Sequence, residues 1–348
     1  MSAKVTLKTL SEELGVSVAT VSKALSNSPE ISPETKQRIC GKAHEYGFRP
    51  RPTAARTTNI CALIQTPSPE VSCFSPYTVA VMEGMMAYLR EAGLGFSLYS
   101  DETAGLNGGT LLRQLGSRNI HGAVILNADE HSRYYEEFDR VPFHYCSLHT
   151  DPRNTGTRLL SIDHTQAAYE AVRYLLQLGH RRIATLVTPA HSQTGRARLQ
   201  GYRRALEEAG LAEDPELIVT SRRGRDGLEL GNHETHRLMK RRPDVTALFV
   251  MGERVALGAR HALDDCGLGV PRDVSLMTFD DPPEAAYLSP PLTVMRMPNR
   301  RLGYAAARWV HEMVTGTAPD EYPREPWMRG ELVVRDSTGP APARPGTG

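Results

Sequence analysis

Apolar residues near the N-terminus recur at a helical interval. Leu7, Leu10 and Leu14 fall on one face of a first predicted helix, and Gly15 then supplies the tight turn that a residue without Cβ enters cheaply. A second helix follows at once. Ser17 is placed to cap it, and Val21, Ala24 and Leu25 repeat on the face that packs onto the first helix. The small residue Ser11 stands where two helices crossing near a right angle need close approach. An ordinary helical hairpin would explain this spacing, but not why the short second helix shows solvent a polar face of Thr20, Ser22 and Lys23. The pattern predicts a DNA-reading helix-turn-helix.

After the break at Asn27-Ser28-Pro29, Ser32-Pro33-Glu34 opens a third helix with a cap, a first-turn proline and an early acid. Ile39, Ala43 and Tyr46 are its predicted inner face, and Gly47 its end. Arg49-Pro50-Arg51-Pro52 cannot continue a helix and starts a short linker. From Ile60 the pattern changes to apolar runs of four to six residues, such as ICALI, GAVILN, RIATLVT, ALFV and VSLMTFD, separated by helices of ten or more. That alternation is the signature of parallel, doubly wound sheets, with enough units for two. The end, STGPAPARPGTG, is Pro/Gly-rich and reads as a disordered tail.

A chain of 348 residues exceeds one core, and 40% apolar with 23% charged residues describes a soluble globular protein. No run is long enough to span a membrane and MSAKVTLKTL lacks a secretory core, so a cytoplasmic location is expected. Cys40, Cys61, Cys73, Cys146 and Cys266 are odd in number and never spaced C-x-x-C, which predicts reduced, mostly buried thiols and neither disulfides nor zinc. The net charge of +1 conceals an asymmetry. Through Arg56 there are nine basic and five acidic residues, a head of +4, whereas the remaining 32 and 35 leave −3. A modestly basic head on an acidic body suits a module that meets phosphate, with two heads needed for tight binding.

The segments VTLKTLSEELGVSVATVSKALS, SIDHTQAAYEAVRYLLQLGHRRIATL, RARLQGYRRALEEAGL and VSLMTFDDPPEAAYLSPPLTVMRMP carry a resemblance to the LacI/GalR family of transcriptional regulators over nearly the whole chain. The resemblance implies an all-α helix-turn-helix head over 1–48, a hinge linker over 49–59, and a body like a periplasmic sugar-binding protein. In such a body two α/β subdomains close on a small effector, and the chain crosses between them three times. The crossings are expected near Ser161, Pro291 and Tyr322, giving a first subdomain of 60–160 and 292–321, a second of 161–291 and 322–336, and a tail of 337–348.

Family roles fall on Leu7 and on Ser17, Val18, Ala19, Thr20, Ser22 and Lys23 as DNA contacts. Val18 and Ala19 can offer a thymine methyl only apolar contact, while Lys23 can donate to guanine or to phosphate. Ser17, Thr20 and Ser22 would touch phosphates. The resemblance also implies a hinge helix that wedges a leucine into the minor groove, but this linker is shorter than usual and holds no Leu, Met or Phe between Pro50 and Ile60. Ala54 and Ala55 are poor wedges, which leaves Arg51 and Arg56 to reach a narrow groove. In the body, Arg198 and Asp280 fall at effector-binding positions, and an arginine and a carboxylate converging from strand ends suit a polyol. Ser75 and Tyr77, after the first strand, are further candidates. Where the family commonly has Asn-Asp, this chain has Gly252-Glu253.

His233-Glu234-Thr235-His236 is one residue short of H-E-x-x-H and reads as a solvated helix surface, and His144, Cys146 and His149 as a strand and its exit. No phosphate-binding loop or nucleophile elbow occurs, so neither a cofactor nor an enzymatic activity is expected. The expected function is a repressor whose affinity for a pseudo-palindromic double-stranded operator is switched by a small effector, a sugar or related polyol, with the protein acting as a homodimer. The alternatives are a regulator controlled by a protein partner and a sugar-modifying enzyme carrying a DNA-binding head.

Overall fold

The computed structural model describes residues 6–25, 31–46, 59–65, 74–101, 108–128, 134–139, 143–150, 158–187, 192–220, 227–318 and 327–343. It divides into two compact units, Met1–Thr57 and Thr58–Gly348. The expected breaks at Asn27-Ser28-Pro29 and Gly47, the linker through Thr58 with Arg51 and Arg56, and the crossing at Tyr322 lie outside the described residues.

The head is three helices, α1 (Leu7–Leu14), α2 (Val18–Leu25) and α3 (Pro33–Glu45). Thr6 caps α1 and exchanges hydrogen bonds with Thr9, and Gly15 closes it at φ 65, in the left-handed region where a Cβ is strained. Leu10, Val21, Ala24, Ile39 and Ala43 form its core. Ser32 accepts from Thr35 N and so caps α3 as expected. Tyr46 corrects its sequence-based placement. It is 37% exposed just past the helix end, with the Lys42 ammonium 4.8 Å over its ring and its hydroxyl hydrogen-bonded to Glu13 of α1, because the phenol's polar end takes partners at the surface.

The body holds two sheets of six strands. The first contains β1 (Asn59–Gln65), β2 (Ser97–Asp101), β3 (Ile120–Leu126), β4 (His144–Leu148), β5 (Leu159–Ile162) and β11 (Trp327–Met328), in the order β11-β5-β4-β3-β1-β2. The second contains β6 (Ile183–Val187), β7 (Ile218–Thr220), β8 (Ala247–Val250), β9 (Ser275–Phe279), β10 (Thr293–Arg296) and β12 (Glu331–Val333), in the order β12-β10-β9-β8-β6-β7. Every pairing is parallel except that of β10 with β12. Helices α4 (Pro76–Glu91), α5 (Gly108–Ser117), α6 (Tyr134–Asp139) and α11 (Asn299–Thr315) flank the first sheet, and α7 (His164–Gln177), α8 (Gln193–Glu208), α9 (Gly227–Arg241) and α10 (Glu253–Asp265) the second. The strands read as unbroken apolar runs because both faces are covered. Where α7 meets α8, a Cβ on Gly201 would collide with the Thr165 carbonyl, so only glycine permits that approach. No helix among the described residues is long and apolar enough to cross a membrane.

The chain crosses between subdomains three times, but two crossings differ from expectation. The first follows β5 at Ile162, close to Ser161. The second lies beyond β10, at Met297-Pro298, instead of at Pro291, because Thr293–Arg296 extend the second sheet beside β9 despite the preceding prolines. The third lies at Arg329-Gly330, because Trp327–Met328 still pair with β5 of the first sheet.

The expected tail is also corrected. Residues 337–341 are built into the second subdomain, with Ser337 1% exposed. Leu276 N donates to the Ser337 carbonyl, Ala341 N to Leu178, and Gly339 N to Ser275 Oγ. Buried His180 gathers Thr246 Oγ1, Ser275 Oγ and the Gly339 carbonyl at 3.0–3.1 Å. Pro and Gly suggested disorder, but these backbone groups have partners waiting at the strand starts. Ser337→Ala should therefore destabilise the body by about 1 to 3 kcal/mol, since the Thr293 N–H and the Leu276 carbonyl both lose its hydroxyl. An unchanged urea midpoint would show this segment to be dispensable.

Candidate functional site

In the head, Ser17 Oγ accepts from Thr20 N at 3.0 Å and so caps α2. Ser11 is occupied differently from expectation, donating to the Val16 carbonyl at 2.7 Å and thereby tying the turn. Val18 is 44% exposed, and Ser17, Ala19 and Lys23 are exposed beside it. An exposed valine at the start of a polar helix face is open to an apolar contact. Thr20 and Ser22 are half-buried on the flanks, whereas Leu7 packs against the core cluster.

In the body, the C-terminal ends of both sheets bring a polar cluster together. Such strand ends are where open α/β sheets bind ligands. Asn127, His149 and Asp280, the residues immediately after β3, β4 and β9, all have φ between 59 and 66. Left-handed backbone in non-glycine residues is strained and gathers at functional sites.

Arg198, half-buried on α8, is held on three sides. Its guanidinium lies 4.1 Å over the Phe279 ring, Nε donates to His164 Nδ1 at 3.3 Å, and Nη1 donates to the Met251 carbonyl at 3.2 Å. Asp280 is 9% exposed and accepts from Asn299 Nδ2 at 2.7 Å. Among the described residues the two make no direct ion pair, yet each senses the other's charge: burial pushes the Asp280 carboxyl up, and Arg198 and the Asn299 amide oppose it. Burial likewise lowers the Arg198 guanidinium against Asp280 and Glu253. Glu253, first residue of α10 and 8% exposed, is raised by burial and then by Asp280.

From the first subdomain, the Tyr77 hydroxyl is buried with no partner among the described residues and is raised by burial and by Asp280. The Tyr77 ring lies 5.4 Å from that of His149. Ser75 is occupied as the cap of α4, accepting from Thr78 N at 3.2 Å. His149 and His164 are hydrogen-bonded to each other at 3.2 Å, and burial with the charge of Arg198 lowers both, His149 to about 3. The structure thus brings together Tyr77, Arg198 and Asp280 as candidates, and adds His149, His164, Glu253 and Asn299. His149 was legible only as a strand exit. Its partner lies across a crossing the sequence does not show.

Family models match at both ends of the chain. Residues 3–51 match the bacterial regulatory proteins of the lacI family, and 172–338 match the periplasmic binding protein-like domain. The HTH-type transcriptional regulator AglR of Rhizobium meliloti (strain 1021) is 33% identical over 98% of this chain and 96% of its own. The chain belongs to the LacI family. The HTH-type transcriptional regulator CelR of Thermobifida fusca is 28% identical over 95% of this chain and 98% of its own. The solved transcriptional regulator CelR-cellobiose complex superposes with a TM-score of 0.71 at 27% identity, covering 96% of this chain and all of that one. A lac repressor dimer bound to operator and the anti-inducer ONPF shares the fold with a TM-score of 0.79 at 22% identity, over 96% of this chain and 99% of that one. As a LacI-family member the chain is a helix-turn-helix transcriptional regulator with an effector-binding type of body.

The lowered histidines set a pH dependence. His149, His164 and His180 stay neutral in the fold below the ordinary value near 6.5, while the unfolded chain takes up protons there. Stability should therefore fall as pH drops from 7.5 to 6, with a limiting slope of about 1.4 kcal/mol per pH unit for each histidine once pH is below the unfolded value. The raised Asp280 and Glu253 act oppositely, nearer the carboxylate range. Urea titrations across that window that stay flat or gain stability would contradict this.

Proposed function

We propose that this protein is a repressor that binds a pseudo-palindromic operator as a homodimer and is switched by a sugar or related polyol held between Arg198 and Asp280. The observation that carries the reading is the convergence of Arg198, Asp280 and the Tyr77 hydroxyl, buried without a partner among the described residues, at the strand ends of both subdomains. A carboxylate accepts from two hydroxyls while the guanidinium's remaining N–H groups donate to others, which is recognition chemistry for a polyol. CelR is solved with cellobiose, and a lac repressor is solved as a dimer on operator, which supports the same reading here. Tyr287, 88% exposed beside the second sheet, offers an aromatic anchor for a second copy. Ser75 is kept as a ligand-side candidate through its neighbour Tyr77.

On the DNA side, Val18 and Ala19 would meet base edges, Lys23 a guanine or phosphate, and Ser17, Thr20 and Ser22 the backbone, with Leu7, Arg51 and Arg56 adding contacts. Footprinting should show two half-sites related by a two-fold axis; protection of one asymmetric half-site by a monomer would refute the dimer. Lys23→Ala should weaken operator binding by about 1 to 3 kcal/mol, whereas Lys240→Ala, at an exposed position of α9, should change little. Equal losses in a gel-shift titration would mean that the reading helix is misplaced.

A ligand can pass to the heads only its difference in affinity between two subdomain arrangements, and moving 1:99 to 99:1 takes about 5.5 kcal/mol. Both sides of the cleft must engage in one arrangement and not in the other. Asp280→Ala should leave ligand-free operator affinity within about two-fold while abolishing the ligand response. A reporter in which Asp280→Ala still responds fully would place the effector elsewhere.

A further inference from the structure

The two subdomains meet at the cleft through imidazoles whose protons the geometry fixes. Arg198 belongs to α8, His164 opens α7 just after the first crossing, and His149 ends β4 of the other subdomain. Arg198 Nε lies 3.3 Å from His164 Nδ1, His164 Nε2 lies 3.2 Å from His149 Nδ1, and His149 Nδ1 lies 3.0 Å from Ser161 Oγ. A guanidinium has only donors, so His164 Nδ1 must be bare. A neutral imidazole with a bare Nδ1 carries its proton on Nε2, and that proton faces His149 Nδ1. His149 Nδ1 must then be bare as well. Its one proton is left on Nε2, and the Ser161 hydroxyl turns its single proton to Nδ1 at 3.0 Å in preference to the Ile162 carbonyl at 3.2 Å. The opposite arrangement would set an N–H of His164 against the Arg198 N–H. Burial and the Arg198 charge keep both rings neutral.

Nε2 of His149 points away from Ser161 and His164, and no protein group among the described residues accepts from it. The ring stands beside that of Tyr77, whose buried hydroxyl also lacks a partner. The left-handed backbone of His149, φ 62, sets this ring at the strand end, as that of Asp280 sets the carboxylate.

We infer that His149 is a specificity-determining residue of the cleft: with its tautomer set by Arg198 through His164, it offers Nε2–H to an acceptor oxygen of the ligand, opposite the acceptor Asp280. The inference rests on the proposed reading of the cleft as an effector site. Donor and acceptor on opposite walls orient a sugar, and a ligand without an oxygen at that place forgoes the hydrogen bond.

Two measurements on the full chain test this. Long-range proton–nitrogen NMR of histidine-labelled protein without ligand should show His149 and His164, identified by their Gln variants, as Nε2–H tautomers that do not titrate between pH 5 and 8. In Arg198→Met the constraint is gone and the Nδ1–H form should appear. An Nδ1–H tautomer of His149 in the wild type, or its titration near 6.5, overturns the inference. The second measurement is a thermal-shift and calorimetric panel of glucose, galactose, maltose, cellobiose, trehalose and sucrose. A sugar that binds the wild type should lose about ten- to a hundred-fold in affinity with His149→Leu and recover most of it with His149→Gln, whose amide can donate from a similar place. Full affinity in His149→Leu overturns the role of His149 and leaves the effector site standing. If no sugar stabilises the wild type, the reading of the cleft falls and this inference with it.

Discussion

A guanidinium stays charged wherever a protein puts it, so a partly buried arginine dictates what surrounds it. Around Arg198 that demand has been met by an aromatic face at Phe279, a backbone carbonyl at Met251, an imidazole nitrogen at His164 and the field of two carboxylates, Asp280 and Glu253. Phe279 and Asp280 come from the end of β9 and the others from three further elements, and four of the five groups follow the second sheet's strands or open its helices. Removing the charge would leave Asp280 and Glu253 repelling one another in a poorly solvated site. The cleft is thus organised around one side chain.

The same cluster sits where the chain changes subdomain. His164 starts α7 after the first crossing and is bonded back to His149, and Asn299 starts α11 after the second and is bonded back to Asp280. Asp281, the next residue, pairs with Arg296 on β10 and with Arg335 just beyond β12, gripping the second and third crossing strands. The polar cluster and the interdomain connections are therefore neighbours in covalent sequence. Asp280 and Asp281 thus contact residues at the crossings directly, without intervening side chains.

The head shows a complementary economy. Among the described residues its core is five buried side chains, and the capping hydroxyls of Thr6, Ser17 and Ser32 define where its helices begin. The exposed edge of α2, with Val18, Ala19 and Lys23, lies outside that core and faces solvent.

Local rules determined a good deal. The helical period of Leu7, Leu10 and Leu14, the left-handed demand met by Gly15, and the caps at Ser17 and Ser32 are decided within a few residues, and they were legible. So was the alternation that makes two doubly wound sheets, because strands covered on both faces must be apolar throughout. Arg198 and Asp280 were legible through family resemblance. What the tertiary structure alone decided are pairings between residues far apart in the chain. Trp327–Met328 look like nothing until β5 is beside them, and Thr293–Arg296 belong to the second sheet only because β9 and β12 offer hydrogen bonds that outweigh the Pro290-Pro291 break. Ser337 and Gly339 read as tail until His180, Ser275 and Thr293 supply their partners. His149 gains its fixed proton only from an arginine 49 positions away, because a tautomer is set by what the other nitrogen faces, and that is a property of the fold.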